Sequence, residues 1–298
     1  MRIAVFTGGE SFEREVAFWS AKNVVAELLR VGFDVKQFDI PSELPKFLEM
    51  KDQFSCVVPM LHGKGGEDGT IQGFLETLKM PYLFSGVAAS AVAMDKFLAK
   101  TTISAQGIKT PEARVLSRGD VYEFEHPVVI KPIPCGSTLG VSVVKLSEEL
   151  HAALALGFEY GDRLLAEDFI VGEEFTIGVI ESGGDARALD VIQVISPSGL
   201  FTFEEKYIAD KMAEEICPAE ISEDLARRLQ AAACLAHKAL GVRHASRSDF
   251  MVDARGEIWF LETNTIPGMT AQSLITKALR VGGYDFGALL KSWIESVV

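Results

Sequence analysis

RSDFMVDARGEIWFLETNTIPGMT, residues 247–270, is the stretch of this chain that indicates most about its fold and chemistry. Apolar residues lie on both sides of a turn-forming segment at residues 253–257, and this arrangement is typical of a β-hairpin. Pro267-Gly268 then forms a rigid break of the kind at which a loop can wrap over a ligand. The stretch therefore predicts two paired strands followed by a loop that could cover a binding site.

Four polar side chains follow the two predicted strands. Successive side chains of a strand point to opposite faces, so Arg247 shares a face with Asp249, and Glu262 shares a face with Asn264. Pairing the strands would bring all four onto one surface. Asp249, Glu262 and Asn264 supply hard oxygen atoms, which suit Mg²⁺ beside nucleotide phosphates. The residues alone leave open a second interpretation, in which two ordinary strands alternate buried side chains with solvated ones.

Residues 262–270, ETNTIPGMT, closely resemble the signature E-x-N-T-x-P-G-M-T of the D-alanine–D-alanine ligases, which are members of the ATP-grasp superfamily. One short motif would be weak evidence, but further segments resemble the family in the same order and span nearly the whole chain. These segments are residues 8–16 (GGESFEREV), 61–70 (LHGKGGEDGT), 94–96 (MDK), 129–132 (VIKP), 136–137 (GS), Glu167 with Gly172 and Glu174, 206–207 (KY) and 217–219 (CPA).

The resemblance implies an α/β, three-domain ATP-grasp fold with an N-terminal parallel-sheet (Rossmann-like) domain. The residue pattern agrees, because a strand at residues 3–7, a glycine turn and a helix at residues 16–30 form a unit that is repeated downstream. We expect residues 1–93 to form the N-terminal substrate-binding domain and residues 94–174 the central small domain of the ATP-grasp fold. Residues 175–298 should form the C-terminal domain, with a mobile loop and the metal site.

Local patterns predict several further elements. We expect a helix at residues 94–106, an extended run at residues 186–195, and a loop in the polar stretch at residues 196–215, which shows no clear periodicity. Apolar residues on one stripe predict a helix at residues 219–240, and Gly241 is a suitable stop signal for it.

The composition limits the classes of partner and compartment. With 48% hydrophobic and 24% charged residues, the chain of 298 residues is typical of a globular protein with two or three subdomains. A net charge of −13 argues against a nucleic acid partner, because affinity for a phosphate backbone comes from clustered Lys and Arg. The four cysteines form no C-x-x-C pair, which indicates reduced thiols, and no apolar run has the length of a signal peptide or a membrane span. We therefore expect a cytoplasmic protein with no membrane partner.

The resemblance also implies an activity. The chain is expected to be an ATP-dependent carboxylate–amine ligase that joins two D-alanine molecules through an acyl phosphate, for peptidoglycan precursors. ATP and two Mg²⁺ ions, with Mn²⁺ able to substitute, are the implied cofactors, and a homodimer is the implied assembly. A related ligase that uses D-lactate or D-serine as acceptor is the alternative. A non-catalytic nucleotide-binding module is a rival of another class, and the intact set of candidate residues argues against it: Lys96, Lys131, Arg247, Asp249, Glu262 and Asn264.

The same resemblance assigns residues to the nucleotide. Lys96 and Lys131 match the two nucleotide-binding lysines of the family, although a charged residue at the end of an apolar strand could equally reach solvent. Residues 133–140 resemble the glycine-containing flap over the phosphates. Asp168 and Cys135 depart from residues common in the family, a lysine and an acidic residue respectively. The other assignments are Glu167 to the adenine amino group, the backbone of Asp168 and Ile170 to the adenine edge, Glu174 to the ribose hydroxyls and Lys206 to the γ-phosphate.

Substrate residues are assigned in the same way. Glu13 corresponds to the residue that holds the ammonium group of the first D-alanine, although an acidic side chain there could simply cap the following helix. His62 matches a histidine near the second substrate, although a buried structural histidine is an alternative. Arg247 would stabilise the transferred phosphoryl group and the tetrahedral oxyanion. The expected catalytic residues are Glu13, His62, Ser137, Tyr207 and Arg247. Beside the carboxylate of the second D-alanine we expect Gly268, Ser273 and Leu274, and as Mg²⁺ ligands Asp249, Glu262 and Asn264.

Overall fold

The computed structural model describes residues 1–136, 138–196 and 213–298, and their strands form three sheets. In the first sheet all strands are parallel, in the order β2–β1–β3. Parallel neighbours need a crossover connection, which helices supply here. The predicted parallel sheet near the N-terminus is therefore confirmed. The elements are β1 (Arg2–Gly8), α1 (Arg14–Arg30), β2 (Asp34–Ile40), α2 (Leu44–Met50), β3 (Cys56–Pro59) and α3 (Thr70–Thr77).

The second sheet is antiparallel, in the order β4–β7–β5–β6. Two helices precede it, where the sequence predicted one. Asp95 separates them, because its side chain accepts hydrogen bonds from the backbone N–H groups of Phe97 and Leu98 and so caps the second helix. The first helix, VAASAVAM, escaped prediction because it carries no regular alternation of polar and apolar residues. The elements are α4 (Val87–Met94), α5 (Lys96–Ser104), β4 (Ala113–Ser117), β5 (Val128–Pro132), β6 (Ser142–Val144), α6 (Leu150–Tyr160) and β7 (Arg163–Asp168).

The third sheet is built around β8 (Gly172–Ser182), whose neighbours are all antiparallel to it. The single extended run predicted at residues 186–195 is wrong, because the structure has two strands there, β9 (Asp185–Ala188) and β10 (Ile192–Ile195). Both pair with the same edge of β8, but the register shifts by one residue between them. Such a shift is typical of a β-bulge, which local sequence does not reveal.

Two further predictions in this region need correction. The loop predicted at residues 196–215 falls mostly outside the described residues, but its end forms a strand that pairs with β10. The helix predicted at residues 219–240 begins only at Glu223, because the Ser222 hydroxyl caps it by accepting from the Leu225 N–H. The remaining elements are β11 (Glu214–Ile216), α7 (Glu223–Ala239), β12 (Ala245–Asp253), β13 (Ile258–Asn264), α8 (Leu274–Val281) and α9 (Phe286–Val297).

Helix length bears on membrane insertion. In the three described ranges, no helix combines the length and the apolar character that crossing a bilayer requires.

The first and third sheets share a hydrophobic core. Ile3 of β1 and Leu28 of α1 belong to one buried cluster with Ile180 of β8 and Trp293 of α9, and each of them is 3% exposed or less. Because α1 and the third sheet bury apolar side chains against each other, α1 is held in a fixed position relative to that sheet. Because Glu13 directly precedes α1, this core determines where its carboxylate lies.

A buried histidine joins the same two regions. His244 Nδ1 accepts a hydrogen bond from the Phe84 N–H at 2.9 Å, and the His244 N–H donates to Glu181 Oε2 at 2.6 Å. Burial lowers the pKa of His244 to about 4, so that its ring is neutral at pH 7 and can accept from Phe84. The backbone of His244 is left-handed, with φ 65°, a conformation that asparagine tolerates better than most residues.

Replacement of His244 by asparagine should reduce the pH dependence of folding stability between pH 7 and pH 5. In the unfolded chain the histidine binds a proton near pH 6.5, whereas in the folded protein it stays neutral down to about pH 4, so stability falls as the pH drops through this window. The wild-type free energy of unfolding should fall by about 2 kcal/mol from this residue alone by pH 5. Urea unfolding of both proteins at the two pH values measures it, and an equal loss in the variant would contradict the assignment.

Candidate active site

The hairpin of β12 and β13 brings the four predicted polar side chains together. Arg247 lies opposite Asn264, and Asp249 lies opposite Glu262. Residues directly opposite each other in an antiparallel pair share a face, so all four project from the same side. A bulge follows immediately, between Asp249 and Phe250. The shared face expected from the two-residue spacing is confirmed by this register.

Arg247 and Asp249 form a bidentate ion pair. The guanidinium donates from Nε to Asp249 Oδ1 at 3.1 Å and from Nη2 to Oδ2 at 3.0 Å. The Thr176 hydroxyl of β8 also donates to Asp249 Oδ1, at 2.5 Å. Asp249 is 8% exposed, and its three charge-assisted hydrogen bonds offset the cost of burying the carboxylate. A ligand that replaced Arg247 at this carboxylate would free the guanidinium.

The oxygen atoms of this face fit a hard divalent cation. Asp249 and Glu262 supply carboxylates, and Asn264 supplies a side-chain amide whose nitrogen is buried without a hydrogen-bond partner among the described residues. A buried amide N–H group without a partner is costly, and because it is a donor, only an acceptor such as a phosphate oxygen can complete its contacts. Across the described part of the chain, no cluster of three or more His, Cys, Asp and Glu could hold a metal. A cation here would therefore depend on Asn264 and on oxygen atoms brought by a ligand or by water.

Lys96, the first residue of α5, lies between this face and residue 135. Its Nζ is 3.2 Å from Glu262 Oε2 and donates to the Cys135 carbonyl oxygen at 2.6 Å. The thiol of Cys135 donates to the Tyr160 carbonyl oxygen at 3.1 Å, and burial raises its pKa. An acidic residue is thus not needed to hold this segment. Lys96 itself remains in reach of any anion that enters between Glu262 and the segment at Cys135 and Gly136.

Two lysines meet Glu167 of β7, in the second sheet. Glu167 is 2% exposed, forms an ion pair with Lys131 of β5, and lies 2.9 Å from the Nζ of Lys100. Burial raises the pKa of Glu167, but the two lysines outweigh this and hold it below its ordinary value. Burial likewise lowers the pKa of Lys131, but Glu167 raises it overall. Sequence reasoning missed Lys100, and its position four residues after Lys96 was the available signal.

Glu13 stands at the N-terminus of α1, but its side chain makes no capping hydrogen bond. Its carboxylate packs instead against two glycines. A β-carbon added at Gly136 would lie 2.8 Å from Glu13 Oε2, and one added at Gly63 would lie 3.0 Å from it. Larger residues at these glycines would press on the carboxylate. Glu13 therefore faces the segment that leads into Ser137, which is itself outside the described residues.

His62 is 5% exposed, and its Nε2 lies 3.1 Å from the Ser20 hydroxyl. The same hydroxyl accepts from the Met269 N–H at 3.1 Å. Burial lowers the pKa of His62, so the ring is neutral at pH 7. A neutral imidazole can accept a proton as well as hold its place in the core, so both interpretations of this histidine remain compatible with its surroundings.

Glu67 is a site residue to which the sequence assigned no role, although it lies in the quoted segment 61–70. Its carboxylate accepts from the Gly63 N–H at 2.9 Å and from the Ile266 N–H at 3.2 Å. Burial and the nearby charge of Glu13 raise the pKa of Glu67 to about 8. The side chain thereby ties the loop after β13 to the loop after β3.

The loop after β13 leads into the N-terminus of α8. Ser273 precedes the helix, and its hydroxyl accepts from the Thr270 N–H at 3.0 Å without capping the helix. A β-carbon added at Gly268 would lie 3.1 Å from the Ser273 hydroxyl oxygen. Leu274 is the first residue of α8, where helix N–H groups and the helix dipole favour an anion. Gly268, Ser273 and Leu274 thus adjoin one another.

The segment assigned to adenosine connects β7 to β8. The Asp168 carboxylate lies 2.7 Å from His126 Nε2, and its backbone N–H donates to the Glu112 carbonyl oxygen at 2.9 Å. This N–H is therefore already occupied. Ile170 lies in the connection, and Glu174 lies on β8 opposite Met251 of β12. Lys206 and Tyr207, like Ser137, are outside the described residues.

One cavity lies among some of these parts. Its walls come from the loop after β3, from the junction of α4 with α5, from the flap segment and from β13 with the loop that follows. The lining residues are Glu67, Ala93, Met94, Lys96, Cys135, Gly136, Glu262, Thr263, Asn264 and Thr265. Of the predicted site residues in the described ranges, Lys96, Glu262 and Asn264 line it. The other predicted residues in these ranges do not, including Glu13, His62, Lys131, Arg247, Asp249, the adenosine segment and the start of α8. A lysine, a carboxylate and an amide around one space can bind an anion together with a hard cation.

Comparison with known families gives two matches. The family described as D-ala D-ala ligase C-terminus matches residues 101–295, and the family described as D-ala D-ala ligase N-terminus matches residues 37–85. A D-alanine–D-alanine ligase of Geobacter sulfurreducens is 43% identical over 296 residues, which cover 97% of this chain and 92% of that protein.

Solved structures show the same fold over the whole chain. The D-alanine–D-alanine ligase of Bacillus anthracis complexed with ATP has a TM-score of 0.84 and 30% identity, covering 99% of this chain and 96% of that chain. The VanG D-Ala:D-Ser ligase of Enterococcus faecalis has a TM-score of 0.84 and 29% identity, covering 100% and 99%.

Proposed function

The chain belongs to the D-alanine–D-alanine ligase family and has its ATP-grasp fold, and we propose that its cleft uses ATP to join two D-alanine molecules for peptidoglycan precursors. It is an ATP-dependent carboxylate–amine ligase. The observation that carries the proposal is the double contact of Lys96, which binds both Glu262 and the segment at Cys135. The ammonium group of Lys96, held between Glu262 and Cys135, can bind a phosphate that enters there. The D-alanine–D-alanine ligase of Geobacter sulfurreducens, which is 43% identical over 97% of this chain, supports D-alanine as acceptor.

Activation of the first carboxylate builds negative charge on the transferred phosphoryl group. Lys96 and Lys131 would hold the phosphates, and Arg247 would stabilise the phosphoryl group and the oxyanion that follows. Each of these cations has a carboxylate partner in the structure, so each is already oriented inside the protein. Lys206 would approach the γ-phosphate from the segment outside the described residues.

The two substrates need separate anchors. Glu13 would hold the ammonium group of the first D-alanine, since its carboxylate is not used as a helix cap. Ser137 and Tyr207 would join it as catalytic partners. Ser273, Leu274 and Gly268 would hold the carboxylate of the second D-alanine at the start of α8. His62, neutral through burial, would lie near the attacking amine and could accept its proton.

The remaining nucleotide contacts belong to the β7–β8 connection. Ile170 and the backbone of Asp168 would meet the adenine edge, and Glu174 would meet the ribose hydroxyls. The occupied N–H of Asp168 restricts its part to the carbonyl oxygen. Glu167 would accept from the adenine amino group through its buried carboxylate.

Asp249, Glu262 and Asn264 would hold Mg²⁺, with two ions in all and Mn²⁺ able to substitute. When bound, the metal neutralises phosphate charge and makes the phosphorus a better electrophile. A metal would bind the side-chain oxygen of Asn264, and the unpaired amide nitrogen would then be left to donate to a phosphate oxygen.

We propose the domain limits 1–93, 94–174 and 175–298 for this activity. One sheet lies within each of the first two ranges, and the third sheet lies within the last, apart from the start of β8 at Gly172. A cytoplasmic homodimer is proposed on the family resemblance.

The activity is tested by incubating the purified protein with ATP, Mg²⁺ and D-alanine, D-serine or D-lactate, separately and in pairs. We expect phosphate release with D-alanine alone and D-alanyl-D-alanine as product by mass spectrometry. No dipeptide from D-alanine, or faster ester formation with D-lactate, would reject the proposal.

The variants Asp249→Asn and Glu262→Gln should raise the Mg²⁺ concentration needed for half-maximal activity by at least about 10-fold, because each removes a charged ligand. Glu257→Gln is the matched control, since Glu257 belongs to the same hairpin but pairs with the exposed Lys109. Mg²⁺ titrations of the folded variants give the measurement. If Asp249→Asn and Glu262→Gln both need no more Mg²⁺ than the wild-type protein for half-maximal activity, the metal assignment is wrong.

Arg247→Ala should lower kcat by about 10²- to 10³-fold, the size of effect seen when one preorganised oxyanion donor is lost. The variant also leaves Asp249 without its bidentate partner, so the Mg²⁺ requirement must be titrated alongside. Steady-state kinetics at saturating Mg²⁺ separate the two effects. A variant whose kcat recovers fully with added Mg²⁺ would show that Arg247 acts only through Asp249.

A further inference from the structure

Lys100 is a buried lysine to which the proposed chemistry gives no part. Its side chain is 4% exposed, on the same face of α5 as Lys96. Nζ lies 2.9 Å from Glu167 Oε2 in the second sheet and donates to the Phe260 carbonyl oxygen in the third sheet at 3.4 Å. The shorter contact is the one to a full negative charge, so Glu167 is its main partner.

Glu167 has one lysine at each oxygen. Oε1 pairs with Lys131, and Oε2 pairs with Lys100. All three side chains are at most 14% exposed, so water screens the charges weakly. Two lysines share the one carboxylate of Glu167, and burial lowers the pKa of Lys100 while the charges of Glu167 and Glu262 oppose that effect. Without Lys100, a buried Lys131–Glu167 pair would be neutral and would hold together as a closed pair.

This charge balance bears on the nucleotide. For Lys131 to bind a phosphate, it has to loosen or leave its contact with Glu167. When it does, Lys100 stays beside Glu167, so the carboxylate is not left buried and unpaired. Without Lys100, the same movement of Lys131 would leave the Glu167 carboxylate buried with no counter-ion, which is strongly unfavourable.

We propose that Lys100 is a positioning residue that serves as the permanent counter-ion of Glu167 and thereby releases Lys131 to the nucleotide phosphates. This inference rests on the proposed binding of ATP by Lys131. Lys100 touches neither substrate nor nucleotide and acts through Glu167.

The inference predicts a defect in nucleotide binding more than in chemistry. In Lys100→Met, Lys131 remains on Glu167, so KM for ATP should rise by about 10- to 100-fold, as for the loss of one charge-assisted hydrogen bond. The value of kcat at saturating ATP should change much less. Lys100→Arg keeps the charge and should restore most of the affinity, whereas Lys100→Gln keeps polarity without charge and should not.

A double-mutant cycle separates this role from simple packing. In the Glu167→Gln background Lys131 is no longer held by a charge, so adding Lys100→Met should cause little further rise in KM for ATP. If Lys100 only fills space beside α5, Lys100→Met should raise KM by the same factor in both backgrounds, and that result would overturn the inference.

Lys109→Met is the matched control. It is the same substitution close by, since the Lys109 carbonyl accepts from Phe260, but its ammonium pairs with the exposed Glu257. KM for ATP should stay at the wild-type value.

Equilibrium binding of a non-hydrolysable ATP analogue with Mg²⁺ distinguishes the inference from the proposed function. Wild-type protein that does not bind the analogue would reject the function itself. Binding by wild type together with unchanged affinity in Lys100→Gln would reject only the role of Lys100. Should Lys100→Met fail to fold, as judged by its thermal transition, Lys100→Gln and Lys100→Arg carry the same test.

Discussion

The register between β12 and β13 is the constraint on which the site depends. It sets Asp249 opposite Glu262, and a slip of one residue would send one of the two carboxylates to the opposite face of the sheet. Two features prevent the slip. On its other edge β12 is paired along its full length with β8, and on the buried face the Ser248 and Thr263 hydroxyls hydrogen-bond to each other at 2.7 Å. The hydrogen bond between Ser248 and Thr263 thus helps to fix the register that places Asp249 opposite Glu262.

The charges of the cleft are arranged as exchangeable pairs. The chain as a whole has a net charge of −13, yet three cations gather here, and each has a carboxylate partner: Lys96 with Glu262, Lys131 with Glu167 and Arg247 with Asp249. Unpaired charges at these depths would be strongly destabilising, so the carboxylates keep the cations in place without a ligand. A phosphate or a metal can then replace one member of a pair at modest cost. This is preorganisation by internal counter-ions.

The loop after β13 is positioned by the first sheet and not by its own sheet alone. Glu67 accepts from the Ile266 N–H, and the Ser20 hydroxyl accepts from the Met269 N–H. Asn23 adds a hydrogen bond to the Met269 carbonyl oxygen at 2.8 Å. Because α1 carries Ser20 and Asn23 and begins just after Glu13, the same helix places the proposed ammonium anchor and the loop that leads to α8. The shared core of the first and third sheets makes this geometry rigid.

The sequence by itself determined the features that depend on local periodicity and on a linear motif. The strand predicted at residues 3–7 and the helix predicted at residues 16–30 follow from their apolar patterns and match β1 and α1. The spacing of Arg247, Asp249, Glu262 and Asn264 was enough to predict their common face. Local patterns did not predict helix α4, whose small residues show no helical period. They also did not predict the break between β9 and β10, which depends on how each strand pairs with β8. Element ends were set by single caps, such as Asp95, that propensity does not resolve.

Only the tertiary structure decided which charges meet. Glu167 lies 67 residues after Lys100 and 36 after Lys131, and Glu67 lies 199 residues before Ile266, so no local pattern links them. In the sequence, Lys100 and Glu67 are ordinary charged residues. Lys100 is buried where α5, packed on the third sheet, meets Glu167 of the second sheet, and Glu67 is buried where two loops meet. Burial turns them into functional candidates in two ways. Lys100 finds a charged partner in Glu167, whereas Glu67 is held by two backbone N–H groups and its pKa is raised to about 8.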